Sequence, residues 1–574
     1  MSPLSHGSAV TTLPEGEPSY FIRFGIWPFE DILEMEDKKM NRFSRILALV
    51  MCAAMMFTLL TACGGGDTSG EAAAEKDTFT IALDSDIVKL DPAFAYDFTT
   101  NPVVNQITQG LLVFDEDNQL QPMLASSWEQ VDDVTYVYQI RDDVTFSDGS
   151  AMTMDDVLYS MERIANPDTA SYLGWMYDNV ASIEQTGDWE LTVTLATPDA
   201  TWQYVPGTTA CHVISKAHAE AAGDQLGTPE GGLVGTGPYK FVSWQNGTSV
   251  ELTRNENYWG EDAGYYDNLT FKIITEDTTR VTALQTGDVD CTVAPPENML
   301  DVIAGDENLS MTTSSGFGVT FLAFNTQKAP FDNAAVRNAI YSAIDLDTIY
   351  SSLIKTAGEA STPLPNSAAL FGSEVDAWTE YAANAPAHTY DVEAAKAMLA
   401  EAGYADGFEC NLVINDNSLR NSMALAIQEQ LAQVGITVTI EKVSTDEHTA
   451  MQFGEVLDAN GVRDYDMLMA GWEADYPDPS GNLLPLCQGG NSSNAAAYNN
   501  EEVTNLINQQ LQISDPVERN NMMFQALDIV MAETPYIYMY YPVKNIAMNA
   551  AYEGVTMNAS WIWNIHFQDV HPVG

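Results

Sequence analysis

Apolar and polar residues alternate along several short stretches of the chain, the pattern of β-strands with one buried face. In one such stretch Ile436, Val438 and Ile440 fall on the same face, with polar residues between them. The stretches that share this alternation are TFTIAL, TYVYQI, ELTVTLA, SVELTRN and ITVTIEKV. Each of them predicts a strand.

Two other stretches, VEAAKAMLAEAGY and SMALAIQEQLAQVGI, carry apolar residues at intervals of three and four, which predicts helices. In the second, Ala424, Ile427, Leu431 and Val434 form the apolar face, and Gly435 is placed to end the helix. The strand-like stretch ITVTIEKV follows at once. A helix that leads directly into a strand is half of a βαβ unit, so the sequence predicts an α/β fold.

The length of 574 residues exceeds what one hydrophobic core supports, so we expect two or three domains. No internal repeat of fixed period is visible, and no Pro- or Ser-rich linker divides the chain into consecutive domains. Domains built from discontinuous segments produce this pattern.

The segment before Cys63 has the order of a secretory signal: a basic region, an apolar run from Ile46 to Ala62, and small residues before a cleavage site. The motif LTAC resembles a bacterial lipobox, which implies lipidation of Cys63. The alternative is an uncleaved membrane anchor, for which the run is short. We expect residues 1–39 to be an unstructured upstream extension, 40–62 the lipoprotein signal peptide, and 63–77 a flexible tether.

The net charge of -58 repels phosphate backbones, so nucleic-acid binding is not expected. The six cysteines contain no CxxC pair, and the seven histidines are scattered, so we expect no metal site. No nucleophile elbow, phosphate loop or dinucleotide fingerprint occurs, and we expect no cofactor. The glycine-rich GTGPYK contains Pro238, which removes an amide donor, and it predicts a turn.

The stretch AGWEADYPDPSGNLLP, residues 470–485, places two carboxylates close together. An acid pair is what a glycosidase uses, so a hydrolase is one hypothesis. However, Asp478 lies between two prolines and is followed by Ser480 and Gly481, which is typical of a turn. A structural role is therefore favoured for Asp478, whereas the local sequence leaves the role of Asp475 open.

The motifs, taken in order, resemble the extracytoplasmic solute-binding proteins of ABC importers, in the peptide/nickel group. The matching segments extend from about residue 78 to the C-terminus; they include LDPAFAYD, QGLLVFDEDNQLQPMLASSWE, TYVYQIRDDVTFSDGSAMTMDDVLYSMERI, GTGPYKFVSWQNGTSVELTRNENYWG, FNTQKAPFDNAAVRNAIYSAID, YDVEAAKAMLAEAGY and AGWEADYPDP. The resemblance implies a type II periplasmic-binding-protein-like clamshell of two lobes with an additional third domain.

By the same resemblance, the chain divides into discontinuous domains. Lobe I would combine 78–111, 206–312 and 536–574; the extra domain would be 112–205; lobe II would be 313–535. Two strands would cross between the lobes as a hinge, one within GFGVTFLAFNT and the other near TPYIYMYYP.

The resemblance also implies a ligand site without catalytic residues. Asp475 of the W-x-x-D segment would pair with a peptide's α-ammonium, because a cation taken out of water needs a partner charge. Trp472 would form an apolar wall or, alternatively, a core aromatic. Gly471 and Trp472 would supply a main-chain edge for the ligand, with the loop at Tyr96 and Asp97 facing it.

Arg420 lies where relatives place a basic ligand contact, although a surface arginine is an equal alternative. Two positions depart from the family pattern: Met469 stands where a basic residue occurs in an oligopeptide binder, and Ser444 where peptide binders often have tryptophan. The loss of that aromatic residue leaves the shape of the side-chain pocket open.

The leading hypothesis is a lipid-anchored monomer on the outer face of the cytoplasmic membrane, or in the periplasmic space, which binds di- or oligopeptides and delivers them to ABC permease subunits. A nickel chelate, a sugar or another solute is the alternative within this class. A hydrolase that uses Asp475 and Asp478, and a structural envelope lipoprotein, are the rivals from other classes.

Overall fold

The computed structural model describes residues 77–372, 374–555, 557, 559, 560, 563 and 565–574. The predicted extension, the signal peptide, Cys63 and the tether up to residue 76 lie outside the described residues. The described residues belong to one compact unit, Lys76–Gly574.

The strands in chain order are β1 Thr78–Leu83, β2 Leu112–Phe114, β3 Leu120–Pro122, β4 Ala125–Asp132, β5 Thr135–Ile140, β6 Val180–Gly187, β7 Glu190–Leu195, β8 Tyr239–Gln245, β9 Ser249–Arg254, β10 Asn268–Ile273, β11 Cys291–Thr292, β12 Leu309–Ser315, β13 Gly318–Phe324, β14 Gly358–Ala360, β15 Phe408–Ile414, β16 Ile436–Lys442, β17 Met467–Glu473, β18 Tyr536–Asn549, β19 Tyr552–Glu553 and β20 His571–Pro572. All five stretches predicted as strands form strands, namely β1, β5, β7, β9 and β16.

The α-helices in chain order are α1 Asn101–Ile107, α2 Met154–Ala165, α3 Lys216–Ala222, α4 Asp277–Thr286, α5 Leu300–Ala304, α6 Ala334–Ala343, α7 Leu346–Ile349, α8 Val375–Asn384, α9 Val392–Glu401, α10 Ser418–Ala432, α11 Thr445–Gln452, α12 Ser480–Cys487, α13 Glu501–Gln510 and α14 Pro516–Glu533. Among the described helices, none is long and apolar enough to cross a membrane.

The predicted βαβ unit is present, which confirms the α/β class. β15 and β16 pair in parallel, and α10 connects them. Asn417 begins this helix because its side-chain oxygen accepts a hydrogen bond from the amide of Arg420 at 2.8 Å. The residues predicted for its apolar face are buried, and Gly435 has the positive φ of 84° that suits the turn into β16.

One large mixed sheet has the strand order β16-β15-β17-β13-β18-β11-β1-β10-β9-β8. The long strand β18 joins its two halves. The first part of β18 pairs with β13 in one half, and its second part pairs with β12 and β11 in the other. β12 is connected to β13 through Gly316 and Phe317, so this connection and β18 both run from one half of the sheet to the other.

A separate antiparallel sheet has the order β4-β5-β7-β6 and packs with α2. These strands lie inside residues 112–205, the segment for which the sequence predicts an extra domain. The exact domain bounds remain a prediction.

In the half of the sheet that contains β17, β13 and the first four residues of β17 are buried on both faces. Alternate residues of β13 face opposite layers: Leu322 and Phe324 contact one apolar cluster, and Phe321 and Ala323 contact the other. Each fully buried leucine or phenylalanine contributes about 1.5–3 kcal/mol. β17, the strand that leads to the candidate site, packs between the same two clusters through Met467 and Met469 on one face and Leu468 and Ala470 on the other.

The cysteines in the described part of the chain, Cys211, Cys291, Cys410 and Cys487, are buried free thiols. In GTGPYK, residues 236–238 form a bend, in line with the turn prediction, and Tyr239 and Lys240 begin β8. Within the described residues, no group of three or more His, Cys, Asp or Glu is arranged to hold a metal ion.

Candidate functional site

β17 carries Gly471 and Trp472 and leads to Asp475. One edge of the strand pairs with β13, where Gly471 lies opposite Thr320 and Trp472 opposite Val319. On the other edge, the pairing with β15 involves only Met467 and Leu468. Beyond that point, the second edge has no strand neighbour among the described residues.

Side chains of α11 occupy part of this second edge. The carbonyl of Met469 bonds with Nε2 of His448 at 3.0 Å, and the carbonyl of Gly471 accepts from Nε2 of Gln452 at 2.9 Å. Met469 is fully buried. Ser444 accepts a hydrogen bond from the amide of Glu447 and begins α11, so it shapes the helix that covers the edge.

The carboxylate of Asp475 accepts a hydrogen bond from the Tyr96 hydroxyl at 2.7 Å, although the two residues are 379 positions apart. The indole Nε1 of Trp563 donates to the backbone carbonyl of Asp475. The rings of Tyr96 and Trp563 stack with centroids 6.1 Å apart. Asp475, at the end of one half of the sheet, is therefore held by aromatic residues from the far N- and C-terminal parts of the chain.

Burial raises the pKa of Asp475 to about 6, and the nearby Glu473 adds to this, while the hydrogen bond from Tyr96 acts in the opposite direction. Burial and the charge of Asp475 raise the pKa of Tyr96 well above its usual value, so its hydroxyl remains a donor. No cationic side chain among the described residues neutralises Asp475. The carboxylate is thus a poorly solvated anion without a partner charge.

A cavity of about 780 Å³ opens at Asp475. Trp472 lines it, and its Nε1 donates to the carbonyl of Gly481 at 2.9 Å, which fixes the indole. The indole also packs on the apolar cluster beneath β17 and meets Phe453 edge to face. Trp472 therefore contacts the core and also borders the cavity, and its role as a ligand wall stays a prediction.

A second cavity of about 250 Å³ lies beside Gly471 and Glu473, and Trp472 borders both cavities. Arg420 lines this second cavity. Its Nη1 donates to Asn415 at 3.1 Å, and no carboxylate among the described residues lies within ion-pair distance. Burial lowers the pKa of Arg420, but the group stays charged. The Arg420 side chain is half-buried and borders this cavity, and its role as a ligand contact stays a prediction.

Glu473 lines the cavity of Arg420 and is also close enough to Asp475 to raise its pKa. Lys544 neutralises Glu473, with 2.9 Å between Nζ and Oε2. A Cβ added at Gly318 would meet the Glu473 carboxylate, so glycine at this position lets that side chain lie against β13. The Glu473–Lys544 pair is thereby packed against the strand. Of the two neighbouring carboxylates, Glu473 has a counter-ion and Asp475 has none among the described residues.

Asp97 has a different position from Tyr96. Its Oδ1 accepts hydrogen bonds from the amides of Thr99 at 2.9 Å and Thr100 at 2.7 Å, just before α1. It lines neither of the two cavities described above. The carboxylate of Asp97 therefore organises the loop that carries Tyr96.

Asp478 is fully buried and forms a two-pronged ion pair with Arg519, with distances of 2.5 and 2.6 Å. The amide of Ser480 also donates to it at 2.9 Å. Arg519 holds the pKa of Asp478 below its usual value, against the effect of burial. This is the structural role that the turn signals favour, and the turn is buried just before α12. Asp478 does not line the cavity of Asp475.

Residues that sequence reasoning missed complete the site. Trp563 belongs to no motif that marks it, and its contact with Asp475 follows only from the tertiary fold. Trp175, Asp199 and Trp202 line the large cavity from the segment 112–205, and they too carried no sequence signal.

The fold and site together define a class. The main sheet has two halves that β18 joins, and the large cavity lies between residues that are distant in sequence. These features define a two-lobed solute-binding fold of type II. The family model described as "Bacterial extracellular solute-binding proteins, family 5 Middle" matches residues 119–494. The chain belongs to this family, whose members are the solute-binding components of ABC importers, and it acts outside the cytoplasm.

Individual relatives agree with this assignment. The chain is 29% identical over 472 residues to the glutathione-binding protein GsiB of Salmonella paratyphi A, covering 81% of this chain and 89% of that protein. It is similar to the solved ABC transporter-associated periplasmic binding protein DppA from Helicobacter pylori in complex with peptide STSA, with 25% identity, a TM-score of 0.71, and coverage of 86% and 98%.

The fold also matches the crystal structure of a dipeptide binding protein from Pseudoalteromonas sp. SM9913 in complex with Met-Leu. There the identity is 23%, the TM-score is 0.71, and the match covers 86% of this chain and all of that one.

Proposed function

We propose that this protein captures a short peptide by its free α-amine and delivers it to the permease of an ABC importer. The observation that carries the proposal is the carboxylate of Asp475, which lies in a large cavity, has a pKa raised to about 6, and has no partner charge within the part of the chain that the structure describes. A ligand ammonium would supply that charge and a strong hydrogen bond. The relatives named for glutathione and for peptides support a peptide ligand.

Arg420 is our candidate partner for the ligand carboxylate. A Cβ placed on Gly471 would lie 3.5 Å from Nη2 of Arg420, so the guanidinium lies beside Gly471. From Gly471 to Asp475 the chain spans at most about 14 Å when extended. An extended tripeptide or tetrapeptide matches this span, with its amine at Asp475, its carboxylate at Arg420, and its backbone along Trp472.

Capture would involve hinge closure around the ligand. In the domain division expected from the sequence, Tyr96 and Trp563 belong to lobe I and Asp475 to lobe II. Their mutual contacts would then form on closure and break on opening, with the bending at Gly316–Phe317 and in the middle of β18. We infer that no covalent chemistry takes place, and that Asp97 supports the Tyr96 loop.

The experiment that tests this function is native mass spectrometry of the processed protein against a library of free-amine di- to tetrapeptides, with the Asp475→Asn variant alongside. We expect short peptides to be retained by the parent and lost from the variant. Retention of the same peptides by both proteins would refute the anchor, and retention of non-peptide solutes alone would refute the ligand class.

We further propose that Cys63 is lipidated and holds a monomer at the outer face of the cytoplasmic membrane through the tether 63–77. The support is the order of basic region, apolar run and LTAC motif. Metabolic labelling with palmitate should mark the parent but not a Cys63→Ala variant. Equal labelling of both proteins would contradict the anchor.

A further inference from the structure

One wall of the large cavity comes from the segment 112–205 and carries its own charge. Trp175 and Asp178 contribute from one loop, and Asp199 and Trp202 from another. They share the cavity with Asp475. Family resemblance did not point to these residues, and the role proposed above for Asp475 does not need them.

Asp199 is firmly held in this wall. Its Oδ1 accepts from the amide of Thr201 at 2.9 Å and from the Thr201 hydroxyl at 2.7 Å. The amide of Ala200 donates to the carbonyl of Leu511 at 2.8 Å, which ties the loop to the lobe that carries Asp475. Both bonds to Asp199 use Oδ1, so Oδ2 keeps its capacity to accept from a ligand.

The cavity has one sign of charge. Its lining includes the carboxylates of Asp178, Asp199 and Asp475, and no lysine, arginine or histidine among the described lining residues. A peptide has a single α-amine, and in the proposed function Asp475 binds it. Asp199 and Asp178 are therefore left to face another part of the same ligand.

The rest of the lining suits a long cationic side chain. Trp175 is 44% exposed, and Phe453 and Trp472 add aromatic surface to the cavity. Aromatic faces pack against the methylene stem of lysine or arginine and attract the charged end. An acidic side chain in the same place would meet two carboxylates.

We propose that this cavity selects peptides with a lysine or arginine side chain near the amino terminus, with Asp199 as the main partner of the second positive charge and Asp178 at the rim. The inference rests on the proposed function and adds the ligand's chemical class to it. The segment 112–205 thereby acts as a specificity element for the ligand side chain.

The test is calorimetry with the tripeptides Ala-Lys-Ala, Ala-norleucine-Ala, Ala-Glu-Ala and Ala-Ala-Ala. Norleucine keeps the stem of lysine and removes the charge. We expect the parent to bind Ala-Lys-Ala about ten- to a hundredfold more tightly than the norleucine peptide, and Ala-Glu-Ala most weakly. This preference should weaken with added salt.

In the double variant Asp178→Asn/Asp199→Asn, the lysine preference should fall to within about threefold, and the affinity for Ala-Ala-Ala, whose one cation is the α-ammonium at Asp475, should fall by no more than about threefold. Asparagine keeps the Oδ1 acceptor that Thr201 needs. Asp188→Asn is the matched control, an exposed aspartate of the same segment that lines no cavity described here, and it should keep the full preference.

Equal binding of the lysine and norleucine peptides to the parent would overturn the inference, and so would a preference that survives in the double variant. In either case binding of Ala-Ala-Ala through Asp475 would leave the proposed function standing. Failure of every free-amine tripeptide to bind the parent would instead defeat the proposed function and this inference with it.

Discussion

Replacing Asp475 by asparagine should make the unliganded protein more stable at neutral pH. Burial raises the pKa of this carboxyl from 3.8 to about 6, which means that the folded state holds its proton more tightly than the unfolded chain does. Stability contributed by the protonated form is therefore lost as the pH rises from 3.8 through 6. Above pH 6 the folded protein carries the full cost of a poorly solvated carboxylate.

The size of this cost follows from the shift. About two pKa units correspond to about 3 kcal/mol, and partial solvent access to Asp475 reduces this to about 1–3 kcal/mol. Asparagine does not ionise, and its Oδ1 still accepts the hydrogen bond from Tyr96. We expect the variant to gain about 1–3 kcal/mol at pH 7.5 and less than about 1 kcal/mol at pH 4.

The assay is urea unfolding of ligand-free protein at both pH values, because bound ligand would stabilise the parent by mass action. Asp178→Asn is the matched control; this exposed carboxylate of the same cavity should change stability by no more than about 0.5 kcal/mol at either pH. An Asp475→Asn variant that gains nothing at pH 7.5, or gains equally at pH 4, would refute the reasoning.

Three further predictions concern the same network and the core around it. Tyr96→Phe removes the hydrogen bond that favours the ionised carboxylate, so the pKa of Asp475 should rise above 6. As the pH is lowered, calorimetry should therefore show the loss of peptide affinity at a higher pH than in the parent. Arg519→Met leaves the buried Asp478 carboxylate unpaired and should cost about 3–5 kcal/mol in urea unfolding at pH 7.5, with a smaller loss in the double variant Asp478→Asn/Arg519→Met. Burial lowers the pKa of His212 to about 3, so the free energy of unfolding should fall as the pH drops from 6.5 toward 3. Urea unfolding between pH 6.5 and 4 should show a weaker pH dependence of this free energy in His212→Asn.

The sequence was enough to predict the regular parts of the fold. The alternation in β16 and the apolar face of α10 are local patterns that burial of one face imposes, so both elements formed where expected. Asp478 was also predictable as a structural residue, since its neighbours are turn formers. Its ion pair with Arg519 was not, because the two residues are 41 positions apart.

The site itself depends on contacts that no local pattern encodes. The hydrogen bond from Tyr96 to Asp475 spans 379 residues, and the contact of Trp563 with the same residue spans 88. Tyr96 and Asp97 are neighbours in sequence, yet one side chain faces the cavity and the other turns to the backbone of its own loop. Which of two adjacent polar residues enters a cavity is decided by tertiary packing.

The central claim is that the carboxylate of Asp475 binds a peptide's free α-amine. Calorimetry at pH 7.5 with Ala-Lys-Ala and with its N-acetylated form tests this most directly, in the parent and in Asp475→Asn. We predict that acetylation weakens binding to the parent about a hundredfold or more, and that the variant binds both forms equally weakly. Equal affinity of the parent for the free and the acetylated peptide would contradict the account.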